Sequence, residues 1–155
     1  MAEVLYQGTF EQTVDLKRRL LVPQRFRPGD TANELAVVPW GGESGCHLRV
    51  FSRDQMEVMR EKVKAIPPTD TRKAALKRLI FGNAEPMGLD GSGRGCIPER
   101  AAREAGITSK AILVGCMEHW EIWSPERHQV VKQADFETVL KTGGADGIGG
   151  FELLE

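Results

Sequence analysis

This sequence has few cysteines and no long apolar run, and its charges nearly cancel. The three cysteines, Cys46, Cys96 and Cys116, are too few and too scattered in 155 residues to form the disulfide framework of a small secreted domain. We expect them to serve as small buried hydrophobic residues. No apolar stretch approaches the roughly 18 residues that a membrane span requires. A hydrophobic content of 41% and a charged content of 28% therefore predict a water-soluble globular protein.

The overall charge and the N-terminal residues further limit the kinds of protein that this chain can be. A formal net charge of −1 argues against a protein that coats nucleic acid through its total charge, although it is compatible with a local basic patch. The first residues have neither the basic start nor the apolar core of a secretory signal, so we expect a cytoplasmic location.

The sequence also lacks motifs that are typical of catalytic or phosphate-binding sites. The segment 91–93, Gly-Ser-Gly, precedes an arginine instead of opening a long helix, so it does not match a nucleophile elbow. The glycine-rich segment 41–45 lacks the lysine of a phosphate-binding loop. Since no pattern brings together a nucleophile, a base and a residue that orients it, we expect a protein that is not an enzyme and has no cofactor.

Cysteine and histidine occur near each other twice, as Cys46 with His47 and as Cys116 with His119. Neither spacing is the paired Cys-x-x-Cys set of a structural zinc site. Cys116 and His119 also fit neighbouring strands of a hairpin, and the sequence therefore does not predict a zinc site. An enzyme built on these two residues ranks last among the possible functions.

What the sequence does contain is an internal repeat. The segment 14–25 reads VDLKRRLLVPQR, and the segment 89–100 reads LDGSGRGCIPER. An offset of 75 residues aligns them without a gap and gives four identical pairs: Asp15 and Asp90, Arg19 and Arg94, Pro23 and Pro98, Arg25 and Arg100. The chain is therefore predicted to contain two similar units.

The flanking segments repeat in the same order. Continuous apolar runs predict strands over 34–40 and 110–116, and alternating patterns predict strands over 47–51 and 119–123. Each pair of strands is expected to form a hairpin that leads into a helix, with Ser52 capping the first helix and Ser124 with Pro125 starting the second.

Local signals predict three further elements. A strand is expected within 4–14, and Pro98 is expected to open a helix over 99–105 that ends at Gly106. Asp70 can cap a helix over 71–81. The expected apolar face of that helix comprises Ala75, Leu76, Leu79 and Ile80.

These signals predict an α+β protein with two units. Unit one comprises residues 4–54 and unit two residues 82–127, with connecting helices over 55–81, a C-terminal helix over 128–141 and a flexible glycine-rich tail over 142–155.

The doubled Asp-x-x-x-Arg-x-x-x-Pro pattern, with matching strands and helices around it, resembles the MraZ family over about residues 4–135. Members of that family are bacterial transcriptional regulators built from two SpoVT/AbrB-like units. The resemblance implies tandem swapped-hairpin, double-psi-like β-barrels with peripheral helices, and ring-like homo-oligomers. It also implies a nucleoid-associated repressor that recognises double-stranded DNA at repeats upstream of its own cell-division and cell-wall operon, with no membrane partner and no small-molecule substrate.

The family's Asp-x-Lys-Gly-Arg turn can be carried over by position. It matches Asp15, Lys17 and Arg19 in unit one, and Asp90, Gly93 and Arg94 in unit two. Arg18 departs from the pattern, because the family usually has glycine there. If this position needs a positive φ, arginine costs roughly 1 kcal/mol; if it is exposed, Arg18 adds a cation to the DNA face.

Basic residues cluster around the first turn. The DNA-binding candidates are Lys17, Arg18, Arg19, Arg25, Arg27 and Arg94. Such cations can neutralise phosphates, and an arginine can also bind a guanine edge. Because more carboxylates surround the motif in unit two, we expect unit one to provide most of the DNA contacts.

Other interpretations of these residues remain open. Asp15 with Arg19, and Asp90 with Arg94, can form internal ion pairs that close the turns, which makes Asp15, Asp90 and Gly93 a structural turn motif. In that case the chain could be an oligomeric scaffold or interaction protein that binds no DNA. The three tryptophans are expected to pack in the core or at an interface instead of stacking on bases.

Overall fold

The computed structural model describes residues 5–28, 34–42 and 45–141, and the predicted flexible tail lies outside them. Within these ranges the chain forms eight strands: β1 (Thr9–Thr13), β2 (Arg19–Leu21), β3 (Glu34–Trp40), β4 (His47–Phe51), β5 (Glu85–Gly88), β6 (Arg94–Cys96), β7 (Lys110–Cys116) and β8 (His119–Trp123). The same ranges contain four α-helices: α1 (Arg53–Lys64), α2 (Arg72–Leu76), α3 (Glu99–Ala105) and α4 (Pro125–Lys141). None of these helices is both long enough and apolar enough to cross a membrane.

The two predicted hairpins are confirmed with their expected bounds. In unit one, β3 pairs antiparallel with β4 so that Trp40 lies opposite His47. In unit two, β7 pairs with β8 so that Cys116 lies opposite His119. Apolar runs predict these strands well because β-branched and large apolar residues pack on both faces of a buried strand.

One antiparallel sheet combines strands from both units. Its order is β1, β7, β8, β4, β3, β5, so the two hairpins lie side by side at its centre. Each outer strand pairs with the other unit's hairpin: β1 of unit one with β7, and β5 of unit two with β3. The two units have therefore exchanged their first strands.

The α+β class is confirmed. Strand pairing within the described ranges gives the six-stranded sheet and a two-stranded pair of β2 with β6, and these do not close into a barrel. The swapped-hairpin barrel thus stays a prediction at that level of detail.

Aromatic residues from both units fill the core. Phe26 of unit one stacks on Trp120 of unit two, with ring centroids 5.3 Å apart, and both residues are buried. Trp123 is also buried. The predicted packing role is thus confirmed for Trp120 and Trp123, whereas Trp40 is only half-buried and has the Arg49 guanidinium 4.0 Å from its ring centroid.

The predicted helix boundaries are confirmed at three places. The Ser52 hydroxyl accepts a hydrogen bond from the Gln55 amide at the start of α1, and the Ser124 hydroxyl accepts one from the Arg127 amide at the start of α4, each at 3.2 Å. Helix α3 ends at Gly106, which has a φ of 68°. Each of these residues helps to satisfy backbone N–H or C=O groups that have no hydrogen-bond partner within the helix.

The helix expected over 71–81 differs from its prediction in its second half. Asp70 does accept a hydrogen bond from the Arg72 amide, but the segment Lys77–Phe81 is a π-turn. A π-turn has a wider spacing than the α-helix, so the regular apolar face does not continue through it. As a result Ile80 is buried, whereas Leu79 is 61% exposed and does not belong to the apolar face.

Candidate nucleic-acid interface

The two copies of the repeated motif come together in one structure. Strand β2 pairs antiparallel with β6, which places Arg19 opposite Cys96 and Leu21 opposite Arg94. The Asp15 turn precedes β2 and the Asp90 turn precedes β6. We call this strand pair and its two turns, residues 15–21 and 90–96, the basic ribbon.

Hydrogen bonds across the basic ribbon are reciprocal. The Val22 amide donates to the Gly93 carbonyl at 3.0 Å, and the Ile97 amide donates to the Arg18 carbonyl at 2.8 Å. Residues 18 and 93, like residues 22 and 97, are equivalent under the offset of 75. Each turn is therefore completed by the backbone of the other unit, with approximate two-fold symmetry.

In the first turn, Asp15 organises the backbone. Its carboxylate accepts hydrogen bonds from the Lys17 amide at 2.8 Å, the Arg19 amide at 2.9 Å and the Arg19 Nε at 2.9 Å. These bonds, led by the one from the Arg19 backbone, lower the pKa of Asp15. The predicted ion pair between Asp15 and Arg19 is confirmed, and the Arg19 side chain nevertheless stays 45% exposed.

The second turn uses a different side chain. Asp90 Oδ1 accepts hydrogen bonds from the Ser92 hydroxyl at 2.7 Å, the Ser92 amide at 2.9 Å and the Arg94 amide at 3.0 Å. The Ser92 hydroxyl is the main cause of the lowered pKa of Asp90. The alternative of an ion pair between Asp90 and Arg94 is not realised in this turn, because Ser92 supplies the side-chain donor that Arg19 supplies in the first turn.

Two exposed cations of the basic ribbon have no side-chain partner within the described ranges. These are Lys17 in the first turn and Arg94 at the start of β6. By contrast, Arg100 of unit two lies 3.7 Å from Glu104 and 3.9 Å from Glu85. Lys17 and Arg94 are therefore available to a ligand, whereas Arg100 is partly neutralised by its neighbours.

Two similar proteins of known name belong to the same family. No model of a protein family matches the chain. A protein named transcriptional regulator MraZ from Roseiflexus sp. strain RS-1 is 36% identical over 130 residues, which cover 84% of this chain and 88% of the relative. The MraZ regulator of Pseudomonas putida strain F1 is 30% identical over 141 residues, covering 90% of this chain and 93% of the relative.

The chain belongs to the MraZ family.

Arg18 lies in the first turn of this MraZ-family chain in a left-handed conformation, with a φ of 61°. The turn still forms, since the Arg18 amide donates to the Asp15 carbonyl at 2.9 Å just as the Gly93 amide donates to the Asp90 carbonyl at 3.0 Å. The Arg18 Nε also donates to the Ile97 carbonyl at 3.0 Å. This bond offsets part of the roughly 1 kcal/mol that a left-handed side-chain residue costs.

Arg27 makes the contact equivalent to that of Arg18 on the other side of the basic ribbon. Its Nε donates to the Val22 carbonyl at 2.9 Å, the equivalent of the carbonyl that Arg18 binds. Its guanidinium lies directly against Gly93, so a Cβ at that position would collide with it. The remaining candidate, Arg25, is exposed and lies 5.7 Å from the ring centroid of Phe10, beside the ribbon.

A second polar cluster lies on the central hairpins, and the sequence interpretation missed its central residue, Glu121. The carboxylate of Glu121 lies 3.0 Å from His119, 3.4 Å from His47 and 2.8 Å from the Trp123 indole nitrogen. Burial raises the pKa of Glu121, but hydrogen bonds from these three residues outweigh it and hold the pKa well below its ordinary value. The available signal was the alternation of strand residues, which puts positions 119 and 121 on one face.

Proposed function

We propose that this chain is a transcriptional regulator that binds double-stranded DNA through the basic ribbon and carries out no catalysis. Its relatives in the MraZ family are named transcriptional regulators. The observation that carries the proposal is the pairing of β2 with β6, which gathers Lys17, Arg19 and Arg94 on one exposed surface. Exposed cations on a rigid strand pair can neutralise phosphates and present arginine forks to base edges.

The proposal includes the assembly and the target that the family resemblance implies. A ring-like homo-oligomer of swapped-hairpin units would present many copies of the ribbon to repeated sites. Several weak contacts would then act at a high effective concentration. The target would be repeated DNA upstream of the chain's own cell-division and cell-wall operon, repressed by a cytoplasmic, nucleoid-associated protein.

A salt titration tests this function. We expect the Arg94→Ala variant to bind the upstream duplex more weakly than the unchanged protein does. The dependence of log affinity on log salt should flatten by about one unit for each phosphate that the variant no longer neutralises. Arg60→Ala is a matched control, because it removes one exposed arginine from α1, where Arg60 lies 3.5 Å from Glu57. Equal salt slopes for the two variants would contradict the proposal.

The second candidate function is an oligomeric scaffold that binds no DNA. The ion pair between Asp15 and Arg19 favours it, because this arginine already stabilises the turn. A gel shift with the upstream duplex separates the two functions. A particle that assembles but does not shift the duplex at low salt would support the scaffold.

A further inference from the structure

Five polar side chains converge on one edge of the central hairpins, on strands that do not belong to the basic ribbon. Cys116 and His119 are a cross-strand pair at the end of the β7–β8 hairpin, and Glu121 lies on the same face as His119. Ligand atoms of these three residues all lie within 4.8 Å of one another. Strand β4 of unit one adds His47 and Arg49, the latter directly opposite Glu121.

One oxygen of Glu121 is the common point of this cluster. Its Oε2 lies 3.0 Å from the Nε2 of His119, 3.4 Å from the Nε2 of His47 and 3.5 Å from the Nε of Arg49. The other oxygen, Oε1, accepts a hydrogen bond from Trp123 at 2.8 Å. The indole therefore fixes the carboxylate and leaves Oε2 directed at the two histidines.

His47 is incompletely satisfied in this arrangement. Its side chain is only 8% exposed and lies parallel to the Trp123 indole, with ring centroids 4.1 Å apart. Its Nδ1 has no hydrogen-bond partner within the described residues. Its Nε2 faces both the Glu121 carboxylate and the Arg49 Nε, which lies 3.4 Å away. His47 therefore borders the cluster as a buried imidazole whose Nε2 is shared between a carboxylate and a guanidinium, so the polar groups at this site are not all fully satisfied.

We propose that this cluster binds one divalent transition-metal ion of the zinc type. The ligands are the Cys116 thiolate, the His119 Nε2 and the Glu121 Oε2, and the fourth position is left to water or another small ligand. Ligand atoms around a tetrahedral zinc ion lie about 3.3 to 3.7 Å apart, given bond lengths of about 2.0 to 2.3 Å. The 3.0 Å between His119 and Glu121 needs only a small expansion to reach that range.

The donor set selects the class of metal. A thiolate with one imidazole and one carboxylate suits zinc or cobalt, whereas magnesium and calcium require mainly oxygen ligands. Binding would replace the proton of the Cys116 thiol with the metal, so one proton is released to solvent and no electron is transferred.

A cleft beside the cluster gives a metal ion a route from solvent to the proposed ligands. A cleft of about 690 Å³ opens beside Cys116, Glu121 and His47, and helix α4 forms its other wall. Arg49 must withdraw from Glu121 when a cation binds. In this structure its guanidinium lies 4.0 Å from the centroid of the half-buried Trp40 ring, at the edge of the site.

Such an ion would join the two strands of one hairpin. Cys116 belongs to β7, whereas His119 and Glu121 belong to β8. A metal ligated from both strands would add a cross-link at the end of the β7–β8 pairing.

Cobalt titration of the full chain, after treatment with a chelator, tests the proposal without DNA. We expect one Co²⁺ per chain, with visible d–d absorption and a near-ultraviolet thiolate-to-cobalt charge-transfer band. The Cys116→Ser variant should lose that band, and His119→Ala should weaken binding by about tenfold or more. Cys96→Ser is the matched control, because Cys96 lies on the basic ribbon; it should bind cobalt as the unchanged chain does. Absence of saturable cobalt binding, or a band that survives in Cys116→Ser, would overturn the proposal.

A further variant, Arg49→Gln, should change cobalt affinity in the opposite direction to His119→Ala. Arg49→Gln removes the competing cation from Glu121, and we expect it to tighten cobalt binding. Thermal unfolding adds an independent measurement, since zinc that binds the folded chain must raise its Tm whereas magnesium should not. Weaker cobalt binding in Arg49→Gln, or equal Tm values with zinc and magnesium, would contradict the proposed ligand set.

Discussion

At the residue scale, positions 18 and 93 illustrate how two equivalent sites tolerate different residues. Both have positive φ values, 61° for Arg18 and 84° for Gly93. The Arg18 side chain has space to reach the Ile97 carbonyl, whereas the space around Gly93 is filled by the Arg27 guanidinium. The first turn therefore accommodates a side chain, whereas a side chain in the second turn would have to displace the Arg27 guanidinium.

Gly93→Ala should consequently lower the free energy of unfolding by about 1 to 3 kcal/mol, because the new Cβ is strained by the positive φ and collides with Arg27. Urea unfolding measures the change. Gly91→Ala is the control in the same turn, since a Cβ there meets nothing within 4 Å. We expect its effect to stay within about 0.5 kcal/mol. Similar losses in both variants would refute the steric explanation.

Asp15 should make stability depend on pH at the acidic end. Its folded pKa is lower than its unfolded value of about 3.9, because the Arg19 backbone and side chain and the Lys17 amide bind the carboxylate. Its contribution is therefore fully present above about pH 4 and is lost as the pH falls through the folded pKa. We expect the stability difference between the unchanged chain and Asp15→Asn to shrink as the pH falls below about 4, measured by urea unfolding at each pH. A constant difference would argue against this role.

At the scale of elements, the sequence predicted helix ends well, because a capping residue acts through its own side chain or backbone conformation. Caps at Ser52, Ser124 and Gly106 were predicted because each supplies a missing backbone partner. Strand β5, over Glu85–Gly88, was missed because its four residues include a proline and a glycine, which are both rare in strands. The offset of 75 applied to β1 would have indicated it.

Pairing between elements was harder to predict than the elements themselves. The apolar pattern identifies β1 and β7 as strands, but it does not state that β1 pairs with β7 of the other unit. The same limit applied to Glu121, whose partners His47 and Arg49 lie on a strand more than 70 residues away in the chain. Contacts over such sequence separations are decided by the fold and not by local sequence.

The cap of α4 gives a prediction for one element. The Ser124 hydroxyl is buried and accepts a hydrogen bond from the Arg127 amide at 3.2 Å. Ser124→Ala should therefore lower the free energy of unfolding by about 0.5 to 2 kcal/mol, measured by urea unfolding. Ser109→Ala is the control, because Ser109 is exposed and lies just before β7. An equal effect at both serines would show that the hydroxyl does not act as a cap.

At the scale of the whole molecule, the exchange of outer strands makes the two units one cooperative structure. Leu35 of β3 is 2% exposed and lies opposite Met87 of β5, so its packing involves both units. We therefore expect the two units to lose their shared core together.

Leu35→Ala tests this cooperativity. In a Trp40→Phe background the remaining tryptophans, Trp120 and Trp123, both report on unit two. We expect Leu35→Ala to lower the unfolding free energy by about 2 to 5 kcal/mol and to shift the fluorescence and circular dichroism midpoints together. A fluorescence midpoint that does not move would mean that unit two unfolds independently.

The exchanged strands also determine how the molecule responds to scission of its backbone. A protease that cuts once between α1 and α2 would separate the chain into two pieces, each of which has donated its leading strand to the other's hairpin. The nicked particle would stay assembled until it denatured. Either piece synthesised alone would lack an edge strand of its own hairpin and would regain it only by complementation with its counterpart.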